Sequence, residues 1–311
     1  MSRPIGVLLM AYGSPATLED VETYYTHIRG GRAPSPEQVE ELRQRYRRIG
    51  GRSPLLEITR AQAAGVERAL WARGVDARCY VGMKHAPPFI IETVAAMAAD
   101  GVSRAVAIAL TPQYSRMSVG SYHTVATDAA AAHGIDLRCV NSWHDHTGLI
   151  AALASRVELA SRRFPGNGTG VIFTAHSLPE RIRSWNDPYP DQLQETSERV
   201  AGAVGLAQWR FAYQSASHTG EPWLGPDLLD VLRSVHTAGW REVIVCPVGF
   251  VADHLEVLYD IDVAGQELAH ELGLRLERAP SLNDGADFVS VLADLAQTHA
   301  QPDRPMASYT P

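Results

Sequence analysis

Short apolar runs alternate with longer segments of helical periodicity along the whole chain, and this alternation most constrains the fold. The runs are rich in β-branched residues and lack polar alternation, which is typical of strands buried on both faces of a sheet. They lie at Ile5–Ala11, Ala77–Val81, Ala105–Leu110, Leu137–Val140, Gly170–Thr174, Trp209–Tyr213, Val243–Val248 and Leu274–Leu276. Strands that alternate with helices predict an α/β fold built on parallel sheets.

The segments between these runs predict the helices. Ser35 followed by Pro36 is a helix start, because serine caps the free backbone N–H groups and proline suits the first turn. The predicted helices are Leu18–Ile28, Pro36–Arg48, Leu55–Arg73, Ile91–Ala99, an alanine-rich helix ending near His133, and Phe288–Thr298.

The two halves of the chain repeat one local pattern. In both Leu8–Pro15 and Val171–Pro179, a strand is followed by alanine, then an aromatic ring, then proline three residues later. Tyr12 therefore corresponds to His176. The pattern predicts two similar domains, at residues 1–140 and 141–300, that face each other across a cleft. A polar, proline-containing tail at 301–311 is expected to fray.

The first half contains an insertion at residues 29–53. Tyr12 lies 93 residues before Ala105, whereas His176 lies 67 before Val243, so the first half holds 93 − 67 = 26 extra residues. A basic insertion in an acidic protein suggests an anionic ligand, although a solvated charged helix face is the alternative because glutamates share the segment. Its arginines are Arg29, Arg32, Arg43, Arg45, Arg47, Arg48 and Arg52.

Composition excludes several classes of protein. The net charge of −7 argues against nucleic acid as a partner. No apolar run has the length of a membrane span, and the first apolar run lacks a cleavage pattern, so we expect a soluble chain without a signal peptide. Three separated cysteines, Cys79, Cys139 and Cys246, predict reduced thiols, a cytoplasmic location and no cysteine-based metal site.

His176 is the first candidate for chemistry. It follows the apolar run of Gly170–Thr174, and Pro179 prevents the strand from continuing. Ligands of open α/β sheets bind at the carboxyl ends of the strands, where this titratable side chain is placed. A histidine that caps the next helix or is hydrogen-bonded at the rim of the sheet is the alternative.

A second polar stretch follows the strand at Val243–Val248. Four polar residues lie within eight consecutive positions there: Asp253, His254, Glu256 and Asp260. The last two share one helical face. One histidine with one carboxylate makes an open site for a divalent ion that is held briefly. Helix capping by Asp253 with solvent-facing acids is the alternative. Neither a nucleotide-binding glycine motif nor the context of a hydrolase serine is present.

Several motifs in this order resemble those of ferrochelatases, and most closely those of the soluble bacterial branch that acts on coproporphyrin III. They cover nearly the whole chain: Leu9–Pro15, Tyr24–Arg29, Gly50–Pro54, Thr174–Glu180, Asp187–Gln192, Trp223–Asp227 and Pro247–Glu256. The resemblance implies two Rossmann-like, chelatase-type domains around a porphyrin cleft, with the last helix packing back on the first domain. It also implies a lyase that inserts Fe(II) into coproporphyrin III, giving coproheme in haem biosynthesis.

The resemblance also assigns residues. His176 and Glu256 match the catalytic and metal-binding pair, and Tyr12 matches an axial metal ligand on the opposite face. Lys84 and His85 match a further cleft motif. The positions implied to bind the porphyrin and its propionates are Tyr12, Arg29, Arg45, Tyr46, Ser53 and Tyr122.

Two departures from the family pattern bear on cofactors and iron supply. Some relatives hold a [2Fe–2S] cluster on four cysteines, and with three here we expect no cluster and no tightly bound cofactor. Ala264 stands where relatives extend the acidic face. The expected partners are coproporphyrin III, Fe(II) and, transiently, other enzymes of the haem pathway. The protein itself is expected to be a monomer. The competing interpretations are a cobalt or nickel chelatase of another tetrapyrrole and a non-catalytic haem carrier.

Overall fold

The computed structural model describes residues 4–164, 169–217 and 220–300, so the predicted tail at 301–311 lies outside the described residues. The strands are β1 (Ile5–Ala11), β2 (Ala77–Met83), β3 (Arg104–Ala109), β4 (Asp136–Val140), β5 (Gly170–His176), β6 (Trp209–Gln214), β7 (Glu242–Cys246) and β8 (Arg275–Arg278). Every predicted strand is present, with ends that differ by one or two residues.

The helices are α1 (Val21–Ile28), α2 (Pro36–Arg48), α3 (Leu55–Ala72), α4 (Ile90–Ala99), α5 (Val119–Ala132), α6 (Thr147–Ser161), α7 (Tyr189–Val204), α8 (Leu228–Thr237), α9 (Leu255–Tyr259), α10 (Gln266–Leu272) and α11 (Ala286–Ala300). A 3-10 helix at Glu180–Trp185 and a π-helical turn at Asp260–Gly265 complete the described elements. No described helix is both long and apolar enough to cross a membrane.

The strands form two four-stranded sheets of the same topology, ordered β2-β1-β3-β4 and β6-β5-β7-β8. All pairings within the two sheets are parallel. The predicted α/β fold with two similar parallel sheets is therefore confirmed. β1 and β5 occupy the same internal position in their sheets. Tyr12 directly follows β1 and His176 is the last residue of β5, so the two lie at equivalent strand ends, as the repeated pattern predicted.

The extra residues of the first half lie between β1 and β2, where α2 has no counterpart in the second half. α2 begins at the predicted Ser35 cap, which is part of a capping box: Gln38 N donates to Ser35 Oγ at 3.3 Å, and Ser35 N donates to Gln38 Oε1 at 3.0 Å. Its buried face contributes Tyr46 to a small apolar cluster that also contacts Leu255 of α9. The insertion thus packs against the second half of the chain.

The last helix, α11, packs on the first half. A Cβ added at Gly65 of α3 would stand 2.9 Å from Val289 of α11, so glycine permits the close approach of these helices. Arg73 on α3 pairs with Asp294 at 2.5 Å and donates to Ser290 at 2.9 Å. One hydrophobic core therefore runs through both halves, from the first sheet through α11 to β5 and β7. The boundary at 140/141 stays a prediction.

Candidate active site

His176 is the last residue of β5, at the carboxyl edge of the second sheet. Its main-chain oxygen accepts a hydrogen bond of 2.9 Å from the hydroxyl of Tyr189, which fixes the end of the strand. Its Nδ1 donates to the carbonyl oxygen of Ser177. Nε2 is therefore the nitrogen that faces the cleft, and it lies 3.4 Å from Oε1 of Glu256. The ring does not cap the following helix.

Glu256 lies between two histidines. Its Oε2 is 3.5 Å from Nε2 of His254, whose Nδ1 donates to the carbonyl of Ala252 at 2.9 Å. His254 belongs to the polar stretch in which one histidine with one carboxylate predicted an open site for a divalent ion, although the family resemblance assigned no role to it.

Asp253 anchors the loop in front of α9 and is not a helix cap. Its carboxylate accepts hydrogen bonds from Arg278 at 3.0 Å, Ser281 at 2.7 Å and Asn283 at 2.9 Å. No side chain caps α9, so the capping alternative for Asp253 does not hold. The anchored loop sets the position from which His254 and Glu256 point to His176.

Burial and charge have opposite effects on the pKa values of His176 and Glu256. Burial alone would lower the pKa of His176, but the neighbouring carboxylate of Glu256 outweighs it and raises that pKa to about 9. Burial alone would raise the pKa of Glu256, yet His176 and His254 hold it well below the usual range. Both shifts favour the charged forms of the pair, an imidazolium beside a carboxylate.

Tyr12 follows β1 on the opposite wall, and its side chain is 39% exposed. Burial of its hydroxyl and the charge of Glu256 raise its pKa far above the ordinary value. Burial and the same carboxylate also raise the pKa of Tyr46 and, together with Tyr12, that of Tyr122. The charge of Glu256 in the second half thus acts on a group of tyrosines from the first half.

The two arginines expected to bind propionates differ in their present contacts. Arg29 ends α1 with its guanidinium 5.7 Å from the ring of Tyr25, and its buried Nε has no hydrogen-bond partner. Arg45 pairs with Glu41 at 2.8 Å and lies 5.3 Å from the ring of Tyr259 in α9. Arg29 therefore has an unused donor, whereas Arg45 already shares its guanidinium with Glu41.

The other expected porphyrin contacts are largely buried. Ser53, Tyr46 and Tyr122 are each less than a tenth exposed. Ser53 Oγ accepts a hydrogen bond of 3.3 Å from Leu55 N at the start of α3, which leaves its own proton available. Neither Ser53 nor Arg29 makes a hydrogen bond or ion pair with the His176–Glu256 pair in the described part of the chain.

Lys84 and His85 lie beside Tyr12. Lys84 donates to Ser121 Oγ at 2.6 Å and lies 5.2 Å from the ring centre of Tyr122. The ring of His85 lies 4.5 Å from that of Tyr12. Burial, with Lys84 and a second histidine nearby, lowers the pKa of His85 to about 4.

The acidic face beyond Glu256 is short. Asp260, the first residue of the π-helical turn, accepts hydrogen bonds from Ser215 and, at 3.3 Å, from Gln214. Burial and the charge of Glu256 raise its pKa, although the bond from Ser215 opposes the shift. Ala264 lies on the same turn. Within residues 4–164, 169–217 and 220–300, no three histidine, cysteine or acidic side chains are grouped for a metal ion.

Comparison with solved structures places the fold. SirB of Bacillus subtilis, solved with Fe3+, superimposes with a TM-score of 0.61 over 96% of each chain, at 9% identity. The sirohydrochlorin chelatase SirB from Bacillus subtilis subspecies spizizenii, solved in complex with cobalt, superimposes with a TM-score of 0.57. The match covers 96% of this chain and 95% of that one, at 10% identity. At such low identity the likeness establishes the fold alone, which is the two-domain, Rossmann-like chelatase fold.

Comparison of sequences identifies the family. A ferrochelatase of Thermus thermophilus is 47% identical over 313 residues, spanning 94% of this chain and 98% of that protein. A coproporphyrin III ferrochelatase of Listeria innocua is 44% identical over 299 residues, spanning 94% and 97%. The family model described as Ferrochelatase matches residues 4–300. Because these matches cover almost the entire chain, this protein belongs to the ferrochelatase family.

Proposed function

We propose that this protein inserts Fe(II) into coproporphyrin III and releases coproheme for haem biosynthesis. Family membership supports metal insertion into a porphyrin, and several relatives of this chain are named coproporphyrin III ferrochelatases. The observation that carries the proposal is the His176–Glu256 pair, with Nε2 and Oε1 3.4 Å apart, whose carboxylate adds to the effect of burial in raising the pKa of Tyr12. In this proposal the enzyme acts in the cytoplasm as a monomer, without an iron–sulfur cluster.

A flat porphyrin directs its nitrogen lone pairs into the plane of the ring, where an entering metal ion cannot reach them. A cleft that saddles the ring exposes them at a strain of roughly 1–5 kcal/mol, supplied by contacts elsewhere on the substrate. Buried tyrosines on one wall and His176 on the other are rigid surfaces that favour a distorted ring. The proposal assigns Tyr12 as the residue that would ligate iron from the face opposite His176.

Insertion of Fe(II) releases two pyrrole protons, and these need an acceptor. The resting proton of His176 must leave first, because only the neutral ring offers Nε2 to iron or to a pyrrole proton. The approaching dication favours that loss by repelling the imidazolium. In this proposal His176 takes up the two pyrrole protons one after the other, and Glu256 accepts each of them in turn and passes it towards Asp260 and solvent.

Anaerobic metallation followed by absorbance tests this proposal. The purified protein is mixed with Fe(II) and coproporphyrin III, and we expect the bands of the free base to be replaced by those of coproheme over many turnovers. A haem carrier would instead bind coproporphyrin or coproheme stoichiometrically and leave the free base unmetallated. Replacement of Fe(II) by Co(II) or Ni(II) in the same assay measures the metal preference directly.

Glu256→Gln is expected to shift the pH dependence of kcat/KM as well as to lower it. In the unsubstituted enzyme kcat/KM should rise with pH up to about 9, where His176 loses its proton. The amide removes the charge that raises this pKa, so the midpoint should fall to about 6.5 or below. Turnover should drop at least about a hundredfold because glutamine cannot accept a proton. The measurements are kcat/KM from pH 6 to 10 and an NMR titration of the His176 ring over the same range.

Asp260→Asn is the matched comparison for this substitution. Asp260 is more distant from His176 in the proposed relay, and its carboxylate is held by Ser215 and Gln214. We expect a smaller loss of turnover and a pH midpoint still near 9. If Asp260→Asn lowered turnover as much as Glu256→Gln, the proton acceptor would be Asp260 and the role assigned to Glu256 would be wrong.

A further inference from the structure

Two histidines meet on the Tyr12 wall of the cleft, outside the His176–Glu256 pair. His27 lies in the last turn of α1, and His85 lies in the loop after β2. Their Nδ1 atoms are 3.0 Å apart. When both rings are neutral, only one of these two nitrogens can carry a proton in this contact, so at least one lone pair points at the other ring.

The separation of the two nitrogens suits a shared metal ion. Two imidazole nitrogens 3.0 Å apart, each about 2.05 Å from one ion, subtend an angle of about 94° at that ion. That angle is close to the one between neighbouring ligands in octahedral or square-planar geometry. Imidazole is a preferred ligand of first-row divalent transition metals and a poor ligand of magnesium or calcium.

Packing fixes both rings before any ion arrives. His85 is held against Tyr12, with ring centres 4.5 Å apart and a main-chain hydrogen bond of 2.9 Å from His85 N to Tyr12 O. His27 is stacked on Phe89, with ring centres 5.2 Å apart and planes inclined by 29°. Rings held in this way lose little rotational freedom on binding, which favours a two-ligand site.

Access and charge permit a cation at this position. His27 is exposed, so an ion reaches the pair from solvent, and water can complete its coordination. The ammonium of Lys84, the residue before His85, donates to Ser121, with Nζ 2.6 Å from Oγ. The protein as a whole carries a net charge of −7, which favours cations.

We propose that His27 and His85 form a second site for a divalent transition-metal ion, with Nδ1 of each ring as ligand, on the wall of the cleft that carries Tyr12. The site is separate from the His176–Glu256 pair, and its occupancy does not depend on the insertion reaction. It takes borderline ions such as Zn(II), Co(II) or Fe(II).

Zinc titration of the full-length protein by calorimetry tests the site. A His176→Ala variant serves as background, since it weakens the first site. In that background we expect one zinc ion to bind, and the further change of His27→Ala or His85→Ala should weaken that binding at least tenfold. His133→Ala, which removes an exposed histidine at the end of α5, should leave it unchanged.

Long-range proton–nitrogen NMR identifies the ligands. On addition of Zn(II), the Nδ1 resonances of His27 and His85 should move together to the range of metal-bound imidazole. If His27→Ala and His133→Ala bind zinc equally, or if the Nδ1 resonances do not move, the pair is an ordinary hydrogen bond and the proposal is wrong. Circular dichroism confirms that each variant is folded.

Discussion

Replacing His176 with alanine should lower kcat at least about a thousandfold, a loss of roughly 4 kcal/mol in transition-state stabilisation. The substitution removes the imidazole nitrogen that faces Glu256 at 3.4 Å, and with it the proposed proton acceptor and iron ligand. Affinity for coproporphyrin should change by no more than a few fold, because the proposed propionate contacts lie on the other wall.

Single-turnover metallation and fluorescence titration of the porphyrin separate these two effects. His270→Ala, which alters an exposed histidine of α10, is the matched control and should leave both unchanged. If the His176 variant turned over within about tenfold of the unsubstituted enzyme, the role assigned to His176 would be incorrect.

Coproporphyrin III should be metallated with a kcat/KM at least about a hundredfold above that of protoporphyrin IX, a difference of about 2.7 kcal/mol. Coproporphyrin carries four propionates and protoporphyrin two. A charged hydrogen bond contributes roughly 1.5–3 kcal/mol, so two that only the former can make would give up to about 6 kcal/mol before water compensates. The buried, unpartnered Nε of Arg29 is the donor most in need of such an anion.

Arg29→Leu and Arg45→Leu test the origin of this preference. Both substitutions should reduce the ratio of kcat/KM for coproporphyrin III to that for protoporphyrin IX, mainly by lowering the value for coproporphyrin III. Arg29→Leu should have the larger effect because Arg45 already pairs with Glu41 at 2.8 Å. Arg47→Leu breaks an exposed ion pair with Glu40 on the same helix and should not change the ratio. Equal efficiency on both porphyrins under matched detergent conditions would mean that the arginines form a solvated face.

The fold was largely predictable because its signals are local. The short apolar runs predicted every strand of the structure, and the serine–proline pair at Ser35 and Pro36 predicted the start of α2. The ends were less certain, since hydrogen bonds to neighbouring strands decide where a strand stops. β5 continues to His176 because it pairs with β6 up to Gln214, and this partner is invisible in the local sequence.

The site was predictable in its members and not in its state of protonation. The positions of His176 and Glu256 after strands indicated a shared sheet edge, but the charge on His176 depends on a carboxylate 80 residues away in the chain, 256 − 176. The π-helical turn at Asp260–Gly265 was also missed, because its residues fit an ordinary helical pattern. His254 was part of the predicted polar stretch, and the structure adds its contact with Glu256.

The position of α11 has a consequence for how the chain is made. This helix supplies apolar side chains such as Phe288 and Leu292 to the core shared with the first sheet, yet it is the last described element to leave the ribosome. Until it arrives, the first half exposes the surface of α3 around Gly65 and Leu70 that α11 will cover. The two halves share a topology, but the core of the first half is complete only after synthesis has passed Ala300.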